Sequence, residues 1–316
     1  MTKRPLIILT GPTAVGKTKA SIGLAKAVGG EIISADSMQV YKHMDIGSAK
    51  IRKEEMDGVK HYLVDVLEPD EEFHVVRFQQ MAKQAMEEIY AKGKIPIVVG
   101  GTGFYIQALL YDIDFSKEEE DTSYRESLEE LAKEKGADCL HDMLKEVDPK
   151  AAEDIHANNV KRVIRALEFF KQTGTKISEH NEQERQKTSP YNAAYFVLTD
   201  ERAKLYERID RRVEKMVEEG LVEEVMKLKD MGMTKDMVSM QGLGYKEILW
   251  YLDGDMSLDE AVYIIKRDTR HFAKRQITWF KRERDVIWLD KQDFDYDEDK
   301  IRDRILDILK EKDIIN

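Results

Sequence analysis

The sequence predicts an α/β protein: a parallel sheet flanked by helices and interrupted by an all-helical insertion domain. Three observations carry this. Short apolar runs ending in Gly, Thr or Asp alternate with helical patterns over residues 5–111. The alternation then fails over residues 112–190, which read as charged helices without a convincing strand. Strand-like runs return afterwards, at 194–199 and 286–289.

Taken in order, the runs at 6–10, 31–34, 61–66 and 95–100 are short, continuously apolar and bounded by turn residues, as strands buried on both faces should be. Helical patterns lie between them, at Lys17–Val28 and at 75–92. Alternating strand and helix implies right-handed βαβ units and a doubly wound sheet, with ligands at the carboxyl ends of its strands. The segments SYRESLEELAKEKG and NNVKRVIRALEFFKQTG define the insertion, residues 112–190, placed between two strands of the core. Residues 1–111 and 191–316 form the core, with 201–284 again helical before a final strand. A chain of 316 residues has room for both domains, and it contains no internal repeats.

Composition excludes several classes. The longest apolar runs are far too short to span a bilayer. The opening MTKRPLIIL begins like a signal peptide, but its apolar part stops within a few residues, so no leader and no membrane partner are expected. Cys139 is the lone cysteine, which precludes an intrachain disulfide and fits a reducing cytoplasm. The seven histidines are scattered, and a structural zinc is not expected. Net charge is −11, which at first argues against a nucleic-acid partner, yet residues 266–284 (KRDTRHFAKRQITWFKRER) are strongly basic and the tail after 290 is acidic to mixed. Local sign matters more than the total for binding a polyanion.

The first motif is Gly11-Pro12-Thr13-Ala14-Val15-Gly16-Lys17-Thr18, which matches GxxxxGK[ST] between a strand and a helix. Its backbone N–H groups and the helix N-terminus favour a diphosphate or triphosphate. Lys17 neutralises phosphate oxygens, and the Thr18 hydroxyl is placed to ligate Mg²⁺. The fold is thereby P-loop NTPase-like. The usual companions are weak: there is no NKxD tetrad, and the strand at 95–100 ends in glycines where a Walker B strand ends in Asp. The loop implies a diphosphate site without implying hydrolysis.

Two further strand ends face the same crevice. Asp36 opens Asp36-Ser37-Met38-Gln39 and has three readings: a cap for the following helix, a water-mediated ligand of Mg²⁺, or a base toward a substrate beyond the diphosphate. Gly100-Gly101-Thr102-Gly103 ends another strand, either as a plain strand-to-helix turn or as a place where backbone and the Thr102 hydroxyl meet a ligand.

In order, GPTAVGKT, ISADSMQVYKHMDIGSAK, VVGGTGFYIQALL, RVIRALE, QGLGYKE and AKRQITWF resemble the tRNA dimethylallyltransferases, also called tRNA isopentenyltransferases or the IPP transferase family, over about residues 5–288. Residues 117–123 and the C-terminal tail offer nothing to match. The resemblance implies that the loop holds the diphosphate of dimethylallyl diphosphate as a leaving group. The acceptor would be the exocyclic N6 of the adenosine just 3′ of the tRNA anticodon, adenosine-37 of the tRNA. It implies Asp36 as the base that takes the amine proton, with Thr102 orienting that amine. No phosphoryl group moves in such a reaction.

The tRNA side rests on basic segments. Lys204, Arg208, Arg212 and Lys215 form a ridge on one helix face, either a solvated face or one directed at an anion. The resemblance places Arg208 or Arg212 near the diphosphate. Arg211 has Glu207 and Glu214 at pairing distance instead. Lys161, Arg162 and Arg165 lie on one insertion helix that Asn158 or Asn159 can cap, with an Arg165–Glu168 pair as the bland alternative. The resemblance extends the tRNA assignment to Ser37, Met38, Gln39, Gln241, Gly244, Tyr245, Lys246, Lys274, Arg275, Gln276, Trp279 and Lys281, and to Arg125 as a further candidate. Cations interleaved with aromatic rings suit splayed bases between phosphates, although Trp279 and Phe280 are equally consistent with a core. The target adenosine is expected to leave the anticodon-loop stack, with the insertion closing over that loop and the chain acting as a monomer. The main rival is a nucleotide or small-metabolite kinase, whose loop would hold ATP and which needs no basic aromatic segment.

Overall fold

The computed structural model describes residues 3–115 and 123–316, so Met1, Thr2 and residues 116–122, assigned above to the chain opening and the insertion, lie outside the described residues. The chain divides into two compact units, Met1–Leu110 with Pro190–Asn316, and Tyr111–Ser189.

The larger unit begins β1 (Pro5–Thr10), α1 (Lys17–Val28), β2 (Glu31–Ala35), β3 (His61–Tyr62), α2 (Val75–Ala91), β4 (Pro96–Gly100) and α3 (Gly103–Leu110). The smaller unit holds α4 (Ser123–Lys135), α5 (Ala137–Val147), α6 (Pro149–Asp154), α7 (Val160–Thr173) and α8 (Ile177–Gln186). The larger unit resumes with β5 (Asn192–Thr199), α9 (Arg202–Glu218), α10 (Leu221–Asp230), α11 (Tyr245–Leu252), α12 (Leu258–Phe280), β6 (Val286–Asp290) and α13 (Glu298–Glu311).

The six strands make one parallel sheet in the order β3-β2-β4-β1-β5-β6. β1 lies inside it, and Leu6, Ile7, Ile8 and Leu9 are at most 1% exposed, which explains its unbroken apolar run. Each such side chain contributes about 1.5–3 kcal/mol by leaving water. The strand expected at 61–66 is shorter: only His61 and Tyr62 pair with β2, because Leu63 and Asp65 adopt positive φ and turn the chain away. The unmatched tail is part of the core, since α13 buries Ile301, Ile305, Ile308 and Leu309 in the same cluster as Ile7 and Leu9.

The smaller unit has its own core of Leu128, Leu140, Leu144, Val163, Ile164 and Leu167. Buried Asp148 ties it together by accepting from Ala151 N–H at 3.0 Å and from the Ser178 hydroxyl at 2.7 Å. Asn159 does occupy the N-cap of α7, but its side chain makes no capping bond.

Candidate functional site

β1, β2 and β4 end side by side, and their carboxyl ends carry the three motifs. The phosphate loop leaves β1 at Gly11, where φ is 148° and a Cβ would come within 2.4 Å of Leu198 O, so only glycine fits against β5. Ala14 takes φ 63° and Gly16 φ 102° before α1 begins. Two side chains from distant elements fix the loop. Gln276 on α12 accepts the Thr13 N–H at 2.8 Å and donates to Gly101 O at 3.0 Å, joining the loop to the Gly-Gly-Thr turn. Arg208 on α9 donates Nε–H to Ala14 O at 3.0 Å.

The Lys17 ammonium donates to Gly11 O at 3.0 Å and Pro12 O at 2.9 Å. Desolvation lowers its pKa to about 8; the Asp36 carboxylate opposes that fall and Arg212 adds to it. Arg212 is also desolvated and also feels Asp36. Lys17, Asp36 and Arg212 thus share one electrostatic environment, a cavity of about 610 Å³ also lined by Thr13, Thr18 and Gly101.

Asp36 caps a turn rather than a helix, which corrects the cap reading: its Oδ1 accepts from Met38 N–H at 2.8 Å and Gln39 N–H at 3.3 Å, and no helix follows. Thr102 is held beside it, because its N–H donates to Ala35 O at 3.2 Å while its carbonyl starts α3. Met38 packs over Gly242, which brings the ADSMQ and QGLGYKE motifs together.

The basic ridge on α9 divides by partner. Lys204 donates to the Tyr296 hydroxyl at 2.7 Å, Arg208 pairs with buried Asp200, and Lys215 lies 3.6 Å from Glu219. Arg212 has no carboxylate partner among the described residues and lines the cavity. Arg211 pairs with Glu207, whereas Glu214 pairs with Lys266.

Several tRNA candidates are re-placed. Tyr245 is fully buried and its hydroxyl donates to Glu224 at 2.8 Å, so its side chain presents no surface to an RNA. Gly244 is buried at the start of α11 with φ 96°, and Gln276 is buried between the two loops it bridges. Gln241 donates to Lys235 O, and Lys246 lies 3.4 Å from Glu247. Phe280 is core. Lys274, Arg275 and Lys281 are exposed, and Lys274, Arg275 and Trp279 line a second hollow of about 450 Å³ with His271, Thr278 and Arg282. In the smaller unit, Lys161, Arg162 and Arg165 are exposed along α7, but Glu168 is buried and pairs with Arg125 at 2.6 Å, not with Arg165.

Glu224 gave no signal in the sequence. Its Oε2 accepts the Asp45 and Ile46 N–H groups at 2.9 and 2.7 Å, and its Oε1 accepts Gly47 N–H at 3.0 Å. This carboxylate holds the DIGSAK loop, whose Asp45, Ile46, Ser48, Ala49 and Lys50 line the cavity. Lys50 pins the far side by donating to Tyr41 O at 2.6 Å and to Asp65 at 2.9 Å.

Comparison with known proteins places the chain in a family. The family model described as IPP transferase matches residues 39–283. A tRNA dimethylallyltransferase of Lachnoclostridium phytofermentans is 65% identical over 312 residues, 99% of each chain. This chain belongs to the IPP transferase family. The full-length tRNA isopentenylpyrophosphate transferase of Bacillus halodurans superposes with a TM-score of 0.74 at 48% identity, covering 98% of each chain. A eukaryotic dimethylallyltransferase acting on tRNA gives 0.79 at 32% identity, over 91% of this chain and 74% of that one.

Proposed function

We infer that this chain transfers the dimethylallyl group of dimethylallyl diphosphate to N6 of the adenosine 3′ of the tRNA anticodon, releasing diphosphate. The observation that carries the reading is the convergence of the phosphate loop, Lys17, Arg212 and Asp36 on one cavity in a member of the IPP transferase family. Adenine N6 is a poor nucleophile because its lone pair is delocalised into the ring. As the N6–C1 bond forms and the C1–O bond breaks, Asp36 takes the N6 proton, and Thr102 beside it orients the amine. The electron pair of the broken bond leaves on the diphosphate, which the loop amides, Lys17 and Arg212 stabilise. Arg212 suits this role better than Arg208, whose guanidinium is committed to Asp200 and Ala14.

The Thr18 hydroxyl, near the head of α1 and on the wall of the cavity, fits a Mg²⁺ carried in with the substrate. Thr18 would hold that ion, which supplies further charge neutralisation for the leaving group.

Lys274, Arg275, Lys281 and the hollow beside Trp279 supply cations and a ring for the anticodon stem-loop, while Lys161, Arg162 and Arg165 add a basic face on the insertion. One chain carries the donor site, the base and the basic helix, so the reading is of a monomer, acting in the cytoplasm where tRNA is used. The test is incubation with tRNA and labelled dimethylallyl diphosphate, followed by nucleoside analysis. Label in N6-modified adenosine supports the reading, whereas turnover of ATP without tRNA and without label transfer overturns it.

A further inference from the structure

The C-terminal tail, which matches no motif, reaches the phosphate loop through a relay centred on a buried carboxylate. Asp200 follows β5, the strand beside β1, and its side chain is fully buried. Its Oδ1 accepts from the Tyr296 hydroxyl at 3.0 Å and from Glu201 N–H at 2.6 Å. Its Oδ2 accepts from Arg208, whose Nε–H donates to Ala14 O at 3.0 Å. Ala14 is the loop residue at φ 63°, a left-handed conformation that an alanine adopts only under external constraint. The same tail brings a second group to the loop: Lys291 is 8% exposed, pairs with Glu298 at 2.7 Å, and holds its ammonium where a Cβ on Gly16 would meet it at 3.2 Å.

We propose that Asp200 is a positioning residue for the diphosphate site, holding Arg208 on the Ala14 carbonyl and taking its own orientation from Tyr296 of the tail. This rests on the reading of the loop as the donor's diphosphate site. Loop amides bind a diphosphate only when their N–H vectors converge, and turning the Ala14 carbonyl turns the Val15 N–H with it, since both belong to one planar peptide; that N–H donates to Pro12 O at 3.4 Å and closes the loop, so the Ala14 peptide sets the curvature on which the other loop amides converge. A buried carboxylate is the group that keeps the Arg208 guanidinium in place, because a neutral partner leaves that charge half-buried and uncompensated.

The test compares Asp200→Asn, Tyr296→Phe and Arg208→Gln, alone and combined, by calorimetric affinity for inorganic diphosphate and by steady-state kinetics with tRNA and dimethylallyl diphosphate. Asp200→Asn is expected to raise the diphosphate Kd and the donor KM roughly tenfold, the worth of a charge-assisted hydrogen bond, with kcat at saturating donor and tRNA affinity nearly unchanged. Tyr296→Phe, at a partly exposed ring, is expected to raise both about threefold and carries the test where Asp200→Asn lowers soluble yield. In the double variant with Arg208→Gln, Asp200→Asn adds little, because the two act through one relay. A merely structural role would lower Tm and apparent kcat while leaving donor KM and diphosphate Kd at wild-type values, and that result overturns the proposal. Fully additive effects overturn it as well. Lys17→Ala separates the two levels: if it binds diphosphate normally, the reading of the loop itself fails, and if it alone is defective, only the relay fails.

Discussion

Replacing Asp36 by Asn isolates proton transfer from structure. Asp36 Oδ1 accepts the Met38 and Gln39 N–H groups at 2.8 and 3.3 Å, and an asparagine amide oxygen can take both bonds. Stability should therefore change by no more than about 0.5 kcal/mol, since Asn caps nearly as well as Asp. What disappears is the charge. Lys17 is held at about 8 by desolvation, with Asp36 opposing further depression, so the variant's Lys17 loses its proton at lower pH than the wild type's. Donor KM in Asp36→Asn should thus begin to rise at a lower pH than in the wild type, whose Lys17 loses its charge at about 8. Comparison at the low-pH plateau of donor KM, well below 8, leaves the base as the main difference. Single-turnover rates there should fall roughly 10²- to 10⁴-fold, with tRNA affinity unchanged. Rates measured at several Mg²⁺ concentrations separate the alternative: activity restored by added Mg²⁺ marks Asp36 as a water-mediated ligand of the ion. Near-normal single-turnover chemistry at every Mg²⁺ concentration would refute the general-base role.

The other expectations follow from the same cavity and from α12. Lys17→Ala should impair donor use while leaving tRNA affinity intact, and wild-type donor affinity should weaken as pH rises through about 8, where Lys17 loses the charge that the diphosphate needs; a flat donor-affinity profile from pH 7 to pH 9 contradicts this. The affinity for tRNA should fall steeply with salt despite the net charge of −11, by roughly −0.7 to −0.9 in log–log slope per phosphate contact, and charge reversal at Arg275 and Lys281 should flatten it. A filter-binding series that is flat for the wild type rules out a basic docking surface. Gly47→Ala should destabilise the fold by about 1–3 kcal/mol and raise donor KM, because a Cβ there would come within 2.6 Å of the Tyr245 ring that seats the DIGSAK loop. Unfolding in urea at the wild-type midpoint would count against that seat.

What the sequence made legible is what short spacing controls. A strand followed by GPTAVGKT and a helical pattern is a local signal, and the loop lies where its neighbours in sequence put it, at the carboxyl end of β1. The parallel sheet was legible because its strands are buried on both faces, whereas β3 was overextended because left-handed residues at Leu63 and Asp65 leave no trace in an apolar run. Asp36 was found by its position past a strand, but whether it caps a helix or a turn depends on the chain after Gln39, which has no period to read. The supports of the site were not legible at all. Gln276 reaches Thr13 across 263 residues, and Glu224 collects three loop N–H groups from as far away as 179 residues. In a sequence, each is one more polar residue on an amphipathic helix. Their role appears only when the sheet order sets α9, α10 and α12 around the strand ends, because a hydrogen-bonding side chain is defined by what it faces. The same reasoning sorts the α9 ridge: four cations at helical spacing look equivalent, yet three acquire partners on folding, and Arg212 is the one that lines the cavity without a carboxylate partner among the described residues.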